Sequence, residues 1–265
     1  SMLIAGQTSG MNVTVSEVTV YMPAFALNLA EGTSVVDATV SADGSTAVLN
    51  PTLTENGIAM NALYEVDHTK TMVITHTVNA AVMPVTEAGF RSINDMADGY
   101  HIWIVDGAAD ATQDVLHAKI YNDSVKGLVL QILKSNTLAC EDVVLDKASG
   151  DTFQLALVWN TDDSVQVIVD DAVKGAVSNV NGTYTAGDMG HDGIRFGVKT
   201  AGMKVTASNV TVDLPPFALD FSAGAGNAIV DATVSADGSS VTLNSILKEN
   251  YIALNDLFEV DHSKD

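Results

Sequence analysis

The chain has 265 residues, 47% of them apolar, enough for one large or two small cores. A net charge of −21 with only 12 Lys and Arg would repel phosphate backbones and anionic lipid headgroups, which excludes nucleic acid and a membrane surface as partners. The single cysteine, Cys140, excludes an intrachain disulfide, and no apolar run approaches the roughly 20 residues of a spanning helix.

In chain order, the leading Ser-Met reads as a cloning remnant, so a missing signal peptide says nothing of a parent protein. Short runs rich in Val and Thr follow, separated by Asp-Gly, Asn-Gly and Ala-Gly steps. This pattern predicts strands between frequent turns, as in a sandwich or barrel. A short helix is expected only around Phe90–Met96. Next, Tyr100–Val105 alternates, with His101 and Trp103 on one face and Tyr100, Ile102 and Ile104 on the other. His117, Lys119 and Tyr121 share a face of the following strand. Leu128, Leu130 and Ile132 form a core face, as do Phe153, Leu155, Leu157 and Trp159, and then Val165, Val167 and Val169. Asn160–Asp163 has hairpin-turn composition.

The chain then repeats itself. MNVTVSEVTVYMPAFA at 11–26 returns as MKVTASNVTVDLPPFA at 203–218, ten of sixteen positions matching at an offset of 192. SVVDATVSADGSTAVLN at 34–50 returns at 228–244, and ENGIAMNALYEVDHTK at 55–70 returns at 249–264, both at an offset of 194. A period this long predicts beads on a string, not a solenoid. Pro215–Pro216 and Pro23 mark the joints, because proline stiffens a linker and cannot extend a central strand. The expected division is 1–23 as the end of a preceding repeat, 24–213 as a complete one, and 214–265 as the opening of the next. The segments 25–69 and 217–264 are then rivals for one slot in the sandwich. We expect 25–69 to fill it, leaving the spare copy disordered or docked on another chain; the alternative is that 217–264 folds back and displaces the N-terminal copy, and either way an exposed strand edge invites a dimer.

The opening FALDFSAGAGNAIVDATVSADGSSVTLNSILKENYIALNDLFEVDHSKD resembles that of laminin-G-like domains of the concanavalin A-like lectin/glucanase superfamily. FQLALVWNTDDSVQVIVDDAVKGAVSNV at 153–180 is similar to the family's central hairpin, and GIRFGVKTAGMKVTASNVTV at 193–212 to its closing strands. The resemblance spans essentially 24–213. It implies an all-β fold, a two-sheet antiparallel β-sandwich of the jelly-roll type.

Three groups of residues invite a chemical reading. Glu65-Val-Asp67-His68, repeated at Glu259-Val-Asp261-His262, has two carboxylates at a spacing of two. The family's glucanases use three such carboxylates, and the third is missing here. A solvated strand end, and no enzyme, is the expectation. His101, Trp103, His117 and Tyr121 could form a sugar platform if they line one sheet face, rings stacking on sugar C–H faces. The competing reading is that Trp103 and Tyr121 are core or loop-covered. Asp95, Asp98, Asp106, Asp110 and Asp114, with Asp188 and Asp192 in another loop, are candidate calcium ligands, and the resemblance favours calcium. The bland alternative is solvated loop carboxylates. Cys140 reads as an inert packed thiol.

These features point to a non-catalytic structural or adhesive repeat of a large extracellular, cell-surface protein, with neighbouring repeats as its partners. The alternative is a carbohydrate-binding module, with calcium as a candidate cofactor and a glycan or surface ligand as partner.

Overall fold

The fold is described from a computed structural model. The described residues are 2–6, 12–21, 23–32, 34–50, 56–59, 68–90, 98–106, 113–134, 138–180, 182–184, 193–222, 228–244 and 250–254. The short helix expected near Phe90–Met96 falls outside them, apart from Phe90 itself.

The described residues are almost entirely strand. The first segment carries β1 (Met2–Gly6), β2 (Val13–Ser16) and β3 (Thr19–Val20). An opening segment follows, with β4 (Phe25–Ala26), β5 (Ser34–Val36), β6 (Ala38–Val40), β7 (Thr46–Leu49) and β8 (Asn56–Ala59). The central strands are β9 (Met72–Val82), β10 (Tyr100–Asp106), β11 (Gln113–Asp123), β12 (Gly127–Leu133), β13 (Cys140–Val144), β14 (Thr152–Trp159), β15 (Val165–Val169), β16 (Ala172–Val177) and β17 (Gly182–Tyr184). Two closing strands come next, β18 (Gly193–Val198) and β19 (Lys204–Asp213). A second opening segment ends the chain: β20 (Phe217–Ala218), β21 (Ala228–Val230), β22 (Ala232–Val234), β23 (Ser240–Leu243) and β24 (Asn250–Leu254).

The chain divides into two compact units, at Pro23/Ala24 and Leu214/Pro215. Unit 2, Ala24–Leu214, is a two-sheet antiparallel β-sandwich. One sheet runs β13-β12-β11-β10-β18-β8-β5, with β17 beside β11. The other runs β16-β15-β14-β9-β19-β7-β6, with β4 beside β19. The alternation predicted for β14 and β15 holds: Phe153, Leu155, Leu157, Trp159, Val165, Val167 and Val169 are all buried. The hairpin between them closes through Asn160–Asp163, with Asp163 at φ 59 and its N–H donating to the Asn160 carbonyl. Across the interior the Tyr100 hydroxyl meets His76 Nε2 at 3.0 Å, and Phe196 packs on the His76 ring at 5.2 Å. Tyr100, Ile102 and Ile104 therefore face the opposite sheet.

Unit 1 joins the two ends of the chain, Ser1–Pro23 and Pro215–Asp265. It contains the sheets β1-β24-β21 and β2-β23-β22 and the pair β20-β3. Leu219, Phe221, Val241 and Ile252 form its buried centre, with Ile4, Val15, Val18 and Val20 packed against them. This differs from the expectation for the spare copy, which pairs instead with the first strands of its own chain. The pairing repeats that of unit 2 residue for residue. Val13↔Leu243, Thr14↔Thr242 and Val15↔Val241 stand where Val205↔Leu49, Thr206↔Val48 and Ala207↔Ala47 stand in unit 2. Ile4↔Ile252 corresponds to Phe196↔Ile58, and Phe217↔Val20 to Val212↔Phe25. The left-handed residues recur too: Asp37 and Asp231 at φ 48 and 47, Glu17 and Asn209 at 54 and 51, Gly44 and Gly238 both at 68. Equivalent sequence has produced equivalent local structure, because side-chain alternation penalises any slip of register.

Candidate functional site

The register of β10 on β11 places Trp103 opposite His117 and His101 opposite Lys119. All four point away from the sandwich interior, onto the outer face of their sheet. Period-two alternation puts Tyr121 and, across β12, Gln131 on the same face. The residues expected to make a sugar platform are thus brought together. Nδ1 of His101 lies 2.9 Å from Nε2 of His117. The Trp103 ring stacks on His117 at 4.7 Å and on His101 at 5.1 Å.

That outer face is covered. His101, Trp103, His117 and Tyr121 are 0, 6, 1 and 1% exposed. Residues 83–90 cross it as a strap. Asn122 donates its amide to the Met83 carbonyl, and Val85 bridges to Asn122. The Gly89 N–H donates to Gln131 Oε1 at 2.6 Å, and the Lys119 ammonium donates to the Gly89 carbonyl. Phe90 sets its edge on the His117 ring at 4.7 Å, and Lys119 Nζ lies 5.2 Å from the Phe90 centroid and 5.5 Å from that of Tyr121. Asp142 on β13 accepts from Gln131 Nε2 at 2.8 Å and from the Tyr121 hydroxyl at 3.2 Å. Burial and then the Asp142 carboxylate push the Tyr121 hydroxyl up to about 12. In this conformation the ring faces meet protein, as the covered reading of Trp103 and Tyr121 has it.

Trp103 Nε1 and Arg195 Nε are buried donors on this face with no hydrogen-bond partner among the described residues. They belong to residues directly opposite each other on β10 and β18. Such donors cost free energy unless something accepts from them. The strap residues Gly89 and Phe90, and the polar pair Gln131 and Asp142, were not singled out from sequence. The available signal was a Lys and a Gln each flanked by apolar neighbours within a strand, Lys119 and Gln131, which are 0 and 2% exposed.

Of the aspartates expected to bind calcium, Asp98, Asp106 and Asp114 fall among the described residues. Asp95 and Asp110, with Asp188 and Asp192, lie outside the described residues. Asp98 accepts from the Thr200 hydroxyl at 3.3 Å, and Asp106 accepts from the His68 N–H at 2.7 Å. Asp114 sits opposite Asp106 across the β10–β11 pair. Among the described residues no group of three or more His, Cys, Asp or Glu side chains could hold a metal ion. Glu65, Asp67, Glu259, Asp261 and His262 also lie outside the described residues. His68 is not a solvated strand end: it is 8% exposed, stacks on Trp159 at 3.7 Å, and its Nε2 meets Asp163 Oδ1 at 2.9 Å. Burying Trp159 requires a lid at that end of the sandwich, and the imidazole provides it.

Among the described residues no helix is long and apolar enough to cross a membrane, which says nothing of β-barrel spans. No protein-family model and no curated protein matches the chain in sequence. Solved structures match at the level of β architecture. The metal-free carbohydrate recognition domain of Emp46p aligns at a TM-score of 0.43 and 12% identity, covering 71% of this chain and 95% of that one. A carbohydrate esterase of the Shiga toxin-encoding bacteriophage phi24B aligns at 0.40 and 12%, covering 77% and 89%. The receptor-binding domain of botulinum neurotoxin D aligns at 0.40 and 8%, covering 72% of this chain and 44% of that one. This chain is similar to each in its β framework alone.

Proposed function

We propose that the chain is a non-catalytic structural and adhesive repeat of a large extracellular surface protein, in which beads of about 193 residues follow one another with proline joints. The observation that carries this reading is the identical strand register of the two copies. A segment that pairs the same way wherever it recurs is what a tandem array needs, since each bead must close without exchanging strands at random. The acidic surface fits the same reading, keeping closely spaced beads soluble and apart. Small-angle scattering on chains of one, two and three periods tests it. An array should lengthen by a constant increment per period, whereas a compact globule would overturn the reading.

A second reading, a carbohydrate-binding module acting by avidity, draws on one observation: the stacked His101, Trp103 and His117 rings beside the unpartnered donors of Trp103 and Arg195. Hydroxyl-rich ligands supply acceptors for such donors once the strap is displaced. A glycan array with and without calcium separates the two readings. Binding that survives Trp103→Ala would place the ligand elsewhere.

A further inference from the structure

We infer that Arg195 and Trp103 form a carboxylate-recognition site on the outer face of unit 2, one that takes an acidic sugar in preference to a neutral one. The inference rests on the carbohydrate-binding reading and names the class of sugar. Phe196 and Ile58 point into the sandwich, each 1% exposed. Their neighbours Arg195, Gly197, Gly57 and Ala59 on β18 and β8 therefore point outward, onto the face that carries His101 and Trp103. Arg195 lies directly opposite Trp103, and Gly197 opposite His101. On the next strand Ala59 stands opposite Arg195, and Gly57 opposite Gly197. The aromatic wall of β10 is thus followed by one long cationic side chain and then by a floor of small residues. The strap of residues 83–90 is bonded to β11 and β12, on the other side of β10.

The fold itself does not demand this set of residues. At the same register positions the other copy carries Leu3 for Arg195, Ala5 for Gly197 and Tyr251 for Gly57. In unit 2 the backbone closes to a distance that only glycine allows: a Cβ on Gly57 would fall 2.7 Å from the Phe196 carbonyl oxygen. The lone cation also stands apart from the others. Lys126, Lys134, Lys147 and Lys174 each meet a carboxylate. Arg195 is half-buried, its Nε is buried without an acceptor, and burial lowers its guanidinium from the ordinary value. Beside it Trp103, 6% exposed, carries the second donor without an acceptor.

A carboxylate answers both donors. Directly opposite residues have Cβ atoms about 5 Å apart, so one planar anion can accept from the arginine fork and from the indole N–H. A hydroxyl satisfies a hydrogen bond but leaves the desolvated charge uncompensated, which is why the acidic sugar wins. The bare floor leaves room for the ring that bears the carboxylate. The net charge of −21 opposes an anionic ligand at long range. At about 0.15 M salt charges more than about 8 Å away are screened, and the contact with Arg195 decides.

Ligand-observed NMR titration of the full chain at about 0.15 M salt, with methyl β-D-glucuronide and methyl β-D-glucoside, reads this directly. The glucuronide should bind at least about tenfold more tightly than the glucoside. Arg195→Leu should remove that difference, and it keeps the fold because leucine stands at the corresponding position 3. Trp103→Phe, which keeps a ring and removes the N–H, should weaken the glucuronide severalfold. An unmoved thermal melt shows that each variant leaves the sandwich intact. Equal affinity for the two sugars, lost in Trp103→Phe, would overturn the inference and leave the carbohydrate-binding reading standing. A glucuronide preference that survives Arg195→Leu would overturn it as well. Binding of neither sugar would also overturn it, and the glycan array then judges the broader reading by itself. Acetate that displaces the glucuronide at equal concentration would overturn the assignment to a sugar.

Discussion

Gly44 and Gly238 occupy the same turn in the two copies, each at φ +68, and so allow one substitution to be made twice in different units. In unit 2 a Cβ on Gly44 would fall 1.6 Å from Asn28 Oδ1 and 2.7 Å from Asn28 Cγ. That oxygen accepts from the Ala30 N–H and caps the short 3-10 turn Leu29–Glu31. Gly44→Ala therefore combines left-handed strain of about 1–2 kcal/mol with loss of a cap worth about 0.5–2 kcal/mol. The sum, about 2–4 kcal/mol, lowers the melting temperature of a unit of this size by about 4–16 °C. In unit 1 the Cβ of Gly238→Ala would fall 1.9 Å from Asp220 Oδ1, which accepts from the Ser222 N–H at 2.8 Å. The local conflict is the same, yet no tryptophan reports on it, because Trp103 and Trp159 both lie in unit 2. Thermal melts followed by tryptophan emission should show a lowered transition for Gly44→Ala and an unmoved one for Gly238→Ala. Equal shifts in both variants, or none in Gly44→Ala, would refute the division into units or the reading of the turn.

Burial lowers the His76 ring to about 3, below its ordinary value of 6.5. Protonation then favours the unfolded chain, so stability is unaffected above 6.5 and is lost as pH falls from 6.5 toward 3. By pH 5 the loss from this group is about 2 kcal/mol. Urea unfolding at pH 7 and pH 5 should show that His76→Gln, which keeps an acceptor for Tyr100, removes about that much of the difference. Asp43 and Asp237 are each held at about 2, Asp43 chiefly by the Ser41 hydroxyl and then by Ser45, Asp237 chiefly by Ser235 and then by Ser239. In an NMR titration Ser41→Ala should raise Asp43 toward 3.8 and leave Asp237 in place. Burial and then Asp142 raise the Cys140 thiol, so at neutral pH it should alkylate more slowly than free cysteine. A faster reaction would contradict its packed setting.

The fold class was legible because the inward strands alternate without ambiguity. Phe153 to Trp159 and Val165 to Val169 read as core faces and are core faces. The outer face of the β10–β11–β12 sheet was harder to read. His101, His117, Lys119 and Gln131 suggest solvent or ligand by residue type, and among the described residues a strap outside their own strands lies over them. Alternation reports which residues share a face, but it is silent on what covers that face. The role of His68 was hidden for the same reason, since its stacking partner Trp159 and hydrogen-bond partner Asp163 lie more than ninety positions away. The closure of unit 1 was hidden by a degeneracy. Two similar closing segments and two similar opening segments allow two pairings in the same register, and the strand pattern alone does not choose between them.

That choice is the central claim, and a disulfide trap tests it most directly. The Thr14 and Thr242 hydroxyls lie 2.9 Å apart across β2 and β23, so cysteines there face each other. With Cys140 replaced by Ala, Thr14→Cys with Thr242→Cys should oxidise within one chain, readily and without denaturant. Thr14→Cys with Val48→Cys, the corresponding residue of the first opening segment, should stay reduced. Crosslinking of residue 14 to residue 48 in preference to 242 would show that the first strands close on the wrong copy, and the two-unit account would fall with it.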